Sequence, residues 1–394
     1  MPGKIVSSDL LVVGAGIVGL SVAHAALLKG LRVSLVDRAD AVSGASAANL
    51  GQISLADREA SIELPWVYRT LESYRALQRA SGRDLAVRQS GGLALLYTRA
   101  EMDKAAVIVR EKLAAGLQCS LLRGAEVKRQ EPHLNASALS GAVYAEAEGV
   151  LDPLAINYAL LDEVVRLGGR LFTHMPILSF ETRAGQPNLA HAGRQSFQAD
   201  KLVICTGAWS RDVVRLAGLE IPIGYVRASA LVTQPLPPLI RGAIAPGGFL
   251  TREISGGSIQ VFGAVQEQRG GVVFAQANRA VDGYDTGIEA DCAMGPTRLF
   301  LKHFPSVAPF QVLRSWSAVT SWTPDELPFF GYVPGSDSLF LMCGLKGAYS
   351  TAMAAGADAA ACLAGETANA DFARRFRPFA PERFGKPADT AGAS

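Results

Sequence analysis

An α/β protein built from two interleaved units is what the sequence predicts, on three observations. The chain opens with a strand, a glycine-rich turn, a helix and a second strand between Leu10 and Asp37. A further strand–helix unit runs from Asp152 to Thr206. Between and after them, residues 85–97 and 224–266 hold alternating apolar residues punctuated by Gly and Pro, the pattern of antiparallel strands.

Asp9–Val13 reads as a buried strand, Val18–Lys29 as a helix and Arg32–Val36 as the next strand. This is a βαβ unit, in which parallel strands require a crossover helix. Pro153 suits the first turn of a helix, where its missing N–H would have no partner anyway, and Leu154–Leu167 follows with apolar residues at helical spacing. Gly168–Gly169 ends that helix, Arg170–Phe172 starts a strand, and Lys201–Cys205 is a short buried strand leading to Thr206–Gly207. Ser229–Thr233 and Ser258–Gly263 alternate as half-buried strands of the second unit. The last third returns to α/β, with Leu339–Cys343 as strand and Ser350–Leu363 as helix, and the tail after Pro381 reads as frayed.

The 394 residues, 49% hydrophobic and 19% charged, suffice for two domains with sizeable cores. A net charge of +2 without a long run of like charges supplies no basic stripe, which argues against nucleic-acid binding. Cys119, Cys205, Cys292, Cys343 and Cys362 show no CxxC spacing, and His24, His133, His174, His191 and His303 lie far apart. Neither a metal nor a chain-borne cluster is indicated, and the expected compartment is a reducing cytoplasm. The apolar stretches Leu10–Leu28 and Leu339–Gly365 carry glycines in the first case and Lys346 and Asp358 in the second. Both read as buried strand–loop–helix segments rather than a leader or a membrane span.

Gly14-Ala15-Gly16-Ile17-Val18-Gly19 is a GxGxxG sequence between a strand and a helix. Gly14 permits the tight turn, Gly16 lets backbone approach a pyrophosphate, and Gly19 lets helix and strand pack closely. The helix N-terminus then offers free N–H groups and a favourable dipole to phosphates. Asp37 ends the second strand, where an acid accepts hydrogen bonds from ribose hydroxyls. Together these predict a bound dinucleotide. The following Ser43–Gln52 segment is rich in small residues, with Ser46 and Asn49 as hydrogen-bonding groups, and suits a flat cofactor; alone it is a polar loop.

The N-terminal fingerprint and this SGASAANLGQ loop resemble the FAD-dependent glycine/sarcosine/D-amino-acid oxidase (DAO) family. So do Gly149–Pro153, Lys201–Ser210, Trp322–Pro328 and Phe340–Gly347, in that order along nearly the whole chain. Arg227–Pro238 resembles the branch of catalytic (beta) subunits of opine oxidase, D-hydroxyproline dehydrogenase and hydrogen cyanide synthase. The resemblance implies a Rossmann-like FAD-binding domain over 1–84, 145–222 and 320–394. An antiparallel-sheet (α+β) substrate domain over 85–144 and 223–319 interleaves with it. It also implies an FAD held by Gly14, Ala15, Gly16, Val18, Gly19, Asp37 and Arg38, by Ser46, Asn49, Gly51 and Gln52, and by Ile177, Thr206, Gly207 and Trp209. The ring would lie beside Gly344, Leu345, Lys346, Gly347, Ala348 and Thr351. N–H groups at the start of the C-terminal helix would there stabilise negative charge on the reduced flavin.

Two departures from the family matter. Members with a covalent flavin carry a cysteine shortly before the Thr323-Pro324-Asp325 segment; Arg314–Trp322 has none, so the FAD is expected to be noncovalent, and Cys343 reads as core packing. Many relatives have a His-Gly pair where this chain has Ala348-Tyr349, so a role for that histidine does not transfer, and Tyr349 becomes a candidate pocket residue.

The implied chemistry removes a hydride from a carbon bonded to an amine nitrogen, with a partner for a carboxylate. It requires no acid or base if the amine binds deprotonated. Candidates to hold the carboxylate are Arg252, Arg227 and Lys346, since an arginine fork pairs with a carboxylate through two hydrogen bonds. Glu253 and Glu267 are candidates for a cationic side arm, and Trp316 and Trp322 for cavity walls. Three functions are expected in turn. The first is a dehydrogenase subunit oxidising a secondary-amine amino acid and passing electrons to partner redox subunits. The second is a self-contained oxidase using oxygen, and the third a noncatalytic FAD-binding scaffold.

Overall fold

A computed structural model describes residues 4–181, 187–251, 259–288 and 290–385. Arg252, Glu253 and the tail from 386 lie outside the described residues.

Strand Lys4–Val13 is flanked by two parallel partners, Val33–Val36 on one side and Gln195–Ile204 on the other. The path continues in parallel to Arg170–Phe172 at one edge and to Leu339–Cys343 at the other, where Phe329–Tyr332 adds an antiparallel strand. Val33–Val36 and Leu339–Cys343 are buried at every residue, the continuous apolar run a doubly covered parallel strand needs. Helices Ile17–Leu28, Pro153–Arg166 and Ala352–Leu363 pack together on one face. Asp152 caps the second of these, its carboxylate accepting the N–H groups of Leu154 at 2.9 Å and Ala155 at 3.0 Å.

The second sheet runs Val312–Trp322, Gly224–Pro235, Gly271–Val281, Ile259–Gln266, Ala243–Pro246, Gly92–Leu96, Gly141–Ala145, Cys119–Leu122. It is antiparallel with one exception: Ala243–Pro246 pairs in parallel with Gly92–Leu96. That pair joins the strands before the Pro153 helix to those after it, so the parallel contact is the seam between two chain segments distant in sequence. Alternation identified the strands within residues 85–97 and 224–266 but carried no information about which would meet. Helix Ala290–His303 covers one face, where Phe274 stacks on Phe300 at 4.7 Å, centroid to centroid.

The boundaries differ in physically readable ways. The expected Lys201–Cys205 strand is the buried end of Gln195–Ile204, whose first half is more polar and pairs with Asn188–Ala192. Helix Glu63–Ser81, with an amphipathic pattern, and helix Arg99–Ala114, with a Thr98/Glu101 capping box, add to the elements expected from sequence. Leu10–Leu28 and Leu339–Gly365 each divide into strand, loop and helix, and among the described residues no helix is long and apolar enough to cross a membrane.

Candidate functional site

The turn after strand Lys4–Val13 is shaped by contacts only glycine allows. Gly14 has φ +107°, and a Cβ on it would meet the carbonyl of Cys205. A Cβ on Gly19 would run into the carbonyl oxygen of Gly14, so helix Ile17–Leu28 starts close against its own strand. The helix start faces a groove of about 320 Å³, whose lining includes Gly14, Gly16, Val18, Asp37, Arg38 and Trp209. Asp37 Oδ2 accepts the Ala15 N–H at 2.7 Å and Oδ1 the Ala39 N–H at 2.9 Å, which fixes this acid at the groove. Ser46 Oγ accepts the Ile17 N–H at 3.0 Å, one of the donors a helix start leaves open. Ile177, Thr206 and Gly207 complete the lining, and the Arg38 guanidinium lies 4.7 Å from the Trp209 ring centre.

Ala45 lines this groove and also a cavity of about 290 Å³, so the two spaces meet there. One side of the cavity is Asn49, Gln52, Gly344, Lys346 and Gly347; the other is the second sheet, with Ala228, Ala230, Ala318, Trp316 and Trp322. Trp316 Nε1 donates to the Ala48 carbonyl at 3.0 Å and pins the wall to the small-residue loop. Trp322 Nε1 and Ser229 Oγ are buried in the lining without a hydrogen-bond partner. Buried polar groups are rarely left so.

One end of the cavity is charged. Arg58, 3% exposed, donates to the Lys346 carbonyl at 2.5 Å and to Ser54 Oγ at 2.6 Å, with Asp57 Oδ1 3.3 Å from its Nε. Gly347 makes room for it, since a Cβ there would run into the guanidinium. Lys346 Nζ stands 3.1 Å from Glu326 and 3.8 Å from Asp57. Burial pushes the Asp57 carboxyl up, but Arg58, Lys346 and Ser54 outweigh it and hold the group below its ordinary value. Glu148, also buried, accepts the N–H groups of Leu55 and Ala56 at 2.9 Å each, and burial pushes its carboxyl up to about 7. Glu63 is raised by burial as well, and Lys112 Nζ donates to the Arg58 carbonyl from behind.

Among the sequence candidates, Lys346 reaches the cavity, as do Asn49, Gln52, Gly344, Gly347, Trp316 and Trp322. Ala15, Gly19, Gly51, Leu345, Ala348 and Thr351 line neither space. Tyr349 does not line it: the ring is 2% exposed and its hydroxyl donates to the Ser46 carbonyl at 2.8 Å while accepting from Asn157. Arg227 turns to Asp285 at 2.6 Å and lines neither space. Glu267 faces a different cavity with Arg88 and Arg269. The sequence reading missed Asp57, Arg58, Glu148 and Glu326. Glu148 directly precedes the Gly149–Pro153 motif, a signal that was available; Arg58 had none, because its importance comes from contact with a loop 288 residues later.

A family model described as DAO, FAD dependent oxidoreductase, matches residues 9–363. The chain belongs to the DAO family of FAD-dependent oxidoreductases. This DAO-family chain is 25% identical over 345 residues to the glycine oxidase of Geobacillus kaustophilus (strain HTA426), covering 85% of this chain and 87% of the relative. It is 27% identical over 231 residues, 58% of each chain, to the monomeric sarcosine oxidase of Streptomyces avermitilis. The L-proline dehydrogenase structure from P. horikoshii superposes with a TM-score of 0.84 at 21% identity, covering 98% of both chains. The cofactor is FAD. The residues fit it: a glycine cradle that any Cβ would fill, an acid fixed at the end of the second strand, and orphaned donors in the adjoining cavity.

Proposed function

We propose that this enzyme oxidises the C–N bond of an amino acid carrying a secondary amine, opine- or hydroxyproline-like, and passes the electrons to partner subunits. The observation that carries the first part is the charged cavity end, where Lys346 and Arg58 adjoin the space continuous with the FAD groove. Bound FAD supplies a two-electron acceptor for hydride leaving the carbon next to nitrogen. Lys346 and Arg58 provide positive charge for a carboxylate. Arg58 acts at the same time through the Lys346 carbonyl, holding that loop in place. Trp322 Nε1 and Ser229 Oγ add donors, and the alanines of the sheet wall leave width for a substituted nitrogen. The names of the relatives, glycine oxidase, sarcosine oxidase and L-proline dehydrogenase, support an amino-acid substrate.

The flavin is held noncovalently in this reading, since Arg314–Trp322 offers no cysteine and Cys343 is 2% exposed inside its strand. The partner-subunit role rests on the Arg227–Pro238 resemblance. The end-to-end likeness to a glycine oxidase favours a second reading, a self-contained oxidase. Anaerobic mixing with a panel of secondary-amine amino acids should bleach the flavin absorbance; a chain that no amine bleaches would support the scaffold role instead. Stoichiometric hydrogen peroxide on admitting air would replace the dehydrogenase reading with the oxidase.

A further inference from the structure

Glu148 lines the cavity from the turn that precedes strand Gly149–Val150, and its two oxygens are treated differently. Oε1 is fixed by the Leu55 and Ala56 N–H groups, which orients the whole carboxyl. Oε2 has no hydrogen-bond donor among the described residues and lies against Gly92, where a Cβ would run into it. A structural carboxylate in a buried setting is normally bonded at both oxygens or paired with a cation. This one is anchored through Oε1 alone, and the residue shares a cavity lining with Arg58 and Lys346.

We infer that Glu148 is the proton acceptor for the substrate's amine, a catalytic base that the amine-oxidation reading above did not require; the inference rests on that reading. A secondary amine is mostly an ammonium ion at neutral pH, and its nitrogen lone pair must be free before the neighbouring carbon can release hydride. In the step assigned here, R₂NH₂⁺ gives one N–H proton to Glu148 Oε2. The N–H bond breaks, an O–H bond forms, and the products are R₂NH and a neutral carboxylic acid. Hydride departure to the flavin follows as a separate two-electron step. An ionised carboxylate first attracts the ammonium, and a carboxyl raised by burial to about 7 is basic enough to take its proton.

The charged and titratable groups of the same buried cluster come from every element packed around this corner. Asp57 and Arg58 belong to the segment after Leu55, Glu63 to helix Glu63–Ser81, Lys112 to helix Arg99–Ala114 and Cys119 to the following strand. Lys346 and Glu326 also line the cavity. Asp57 raises Glu148 and Arg58 lowers it, so these neighbours oppose each other and burial decides the direction.

The test is Glu148→Gln in the FAD-loaded protein, because Gln keeps an oxygen for the Leu55 and Ala56 N–H groups and removes the base. In the wild type, the second-order rate of flavin reduction should rise tenfold per pH unit and level off above about 7. In the variant that limb should move to the amine's own ionisation, with reduction at neutral pH slowed roughly 100-fold and flavin content unchanged. Glu148→Asp should restore part of the limb. A limb near neutrality that persists in Glu148→Gln would overturn the assignment while leaving amine oxidation standing. Failure of every amine to bleach the wild type would instead sink the underlying reading. A second readout needs no turnover: affinity for propionate, followed by the flavin spectrum, should weaken with rising pH in the wild type and stay flat in Glu148→Gln. The same pH dependence in both proteins would also overturn the inference.

Discussion

Asp37 and Gly19 show how single residues build the glycine-lined groove by different physics. The Asp37 carboxylate is fixed by two backbone N–H groups, so the acid is placed before FAD arrives. Asp37→Ala removes both bonds, and hydrogen bonds to a charged group contribute about 1.5–3 kcal/mol. The expected outcome is FAD affinity lowered roughly 10- to 100-fold, read by flavin retained on ultrafiltration. Gly19 acts through absence. Gly19→Ala forces a methyl onto the Gly14 carbonyl, and overpacking of this kind costs about 1–3 kcal/mol. A lowered melting temperature together with poor FAD retention is expected. At Lys346 the consequence is electrostatic. Lys346→Met should raise KM for carboxylate-bearing amines by about tenfold and leave KM for a carboxylate-free amine nearly unchanged. Equal effects on both would show that Lys346 does not meet the carboxylate.

At the scale of elements, the cofactor loop owes its position to helices that never touch the cavity. Tyr349 stands between helix Pro153–Arg166 and the Ser43–Ala47 segment, joined to Asn157 and the Ser46 carbonyl, while the Tyr74 hydroxyl donates to the Tyr349 carbonyl at 2.7 Å. It is a strut and not a pocket residue. Tyr349→Phe should lower stability by about 1–3 kcal/mol, the cost of leaving buried polar partners unsatisfied, in denaturant melts. The rate of flavin reduction at saturating amine should change less than about twofold; a loss of 100-fold or more would restore a catalytic role. Asp358 locks another pair of helices. It accepts from Trp66 Nε1 at 2.7 Å and from Arg69 at 2.8 and 2.9 Å, tying Ala352–Leu363 to Glu63–Ser81.

For the whole molecule, the charged cluster makes stability a function of pH. Glu148 has a folded pKa near 7 against an ordinary value of 4.5. The folded state therefore binds its proton more tightly, and stability falls as pH rises between those values. The shift corresponds to a cost on the order of 3 kcal/mol once the group is ionised. Glu148→Gln should thus melt higher than the wild type above neutral pH, with the advantage shrinking to nothing as pH approaches 4.5. Asp57 has the opposite sign: its folded value lies below 3.8, so its contribution is present above that value and lost as pH falls below it. Melting temperature against pH in both proteins checks the pair, and parallel curves would show that Glu148 does not titrate in this window.

The glycine loop, its strands and Asp37 were legible because each is local. Spacing, a turn and an acid at a strand end are properties of neighbouring residues, and backbone sterics enforce them wherever they occur. Those strands of the second sheet that fall within residues 85–97 and 224–266 were legible for the same reason. Their partners were not, since alternation tells which face is buried and not which strand lies beside it; the parallel seam of Ala243–Pro246 on Gly92–Leu96 joins segments about 150 residues apart. The sequence by itself determined an α/β chain with a dinucleotide loop and an acid at its rim. Only the tertiary structure decided the charged end of the cavity, bringing Arg58, Glu148 and Lys346 into one lining and turning Arg227 and Tyr349 away from it. The reason is that charge and hydrogen bonding act over a few ångströms in space, and separation along the chain carries almost no information about that distance.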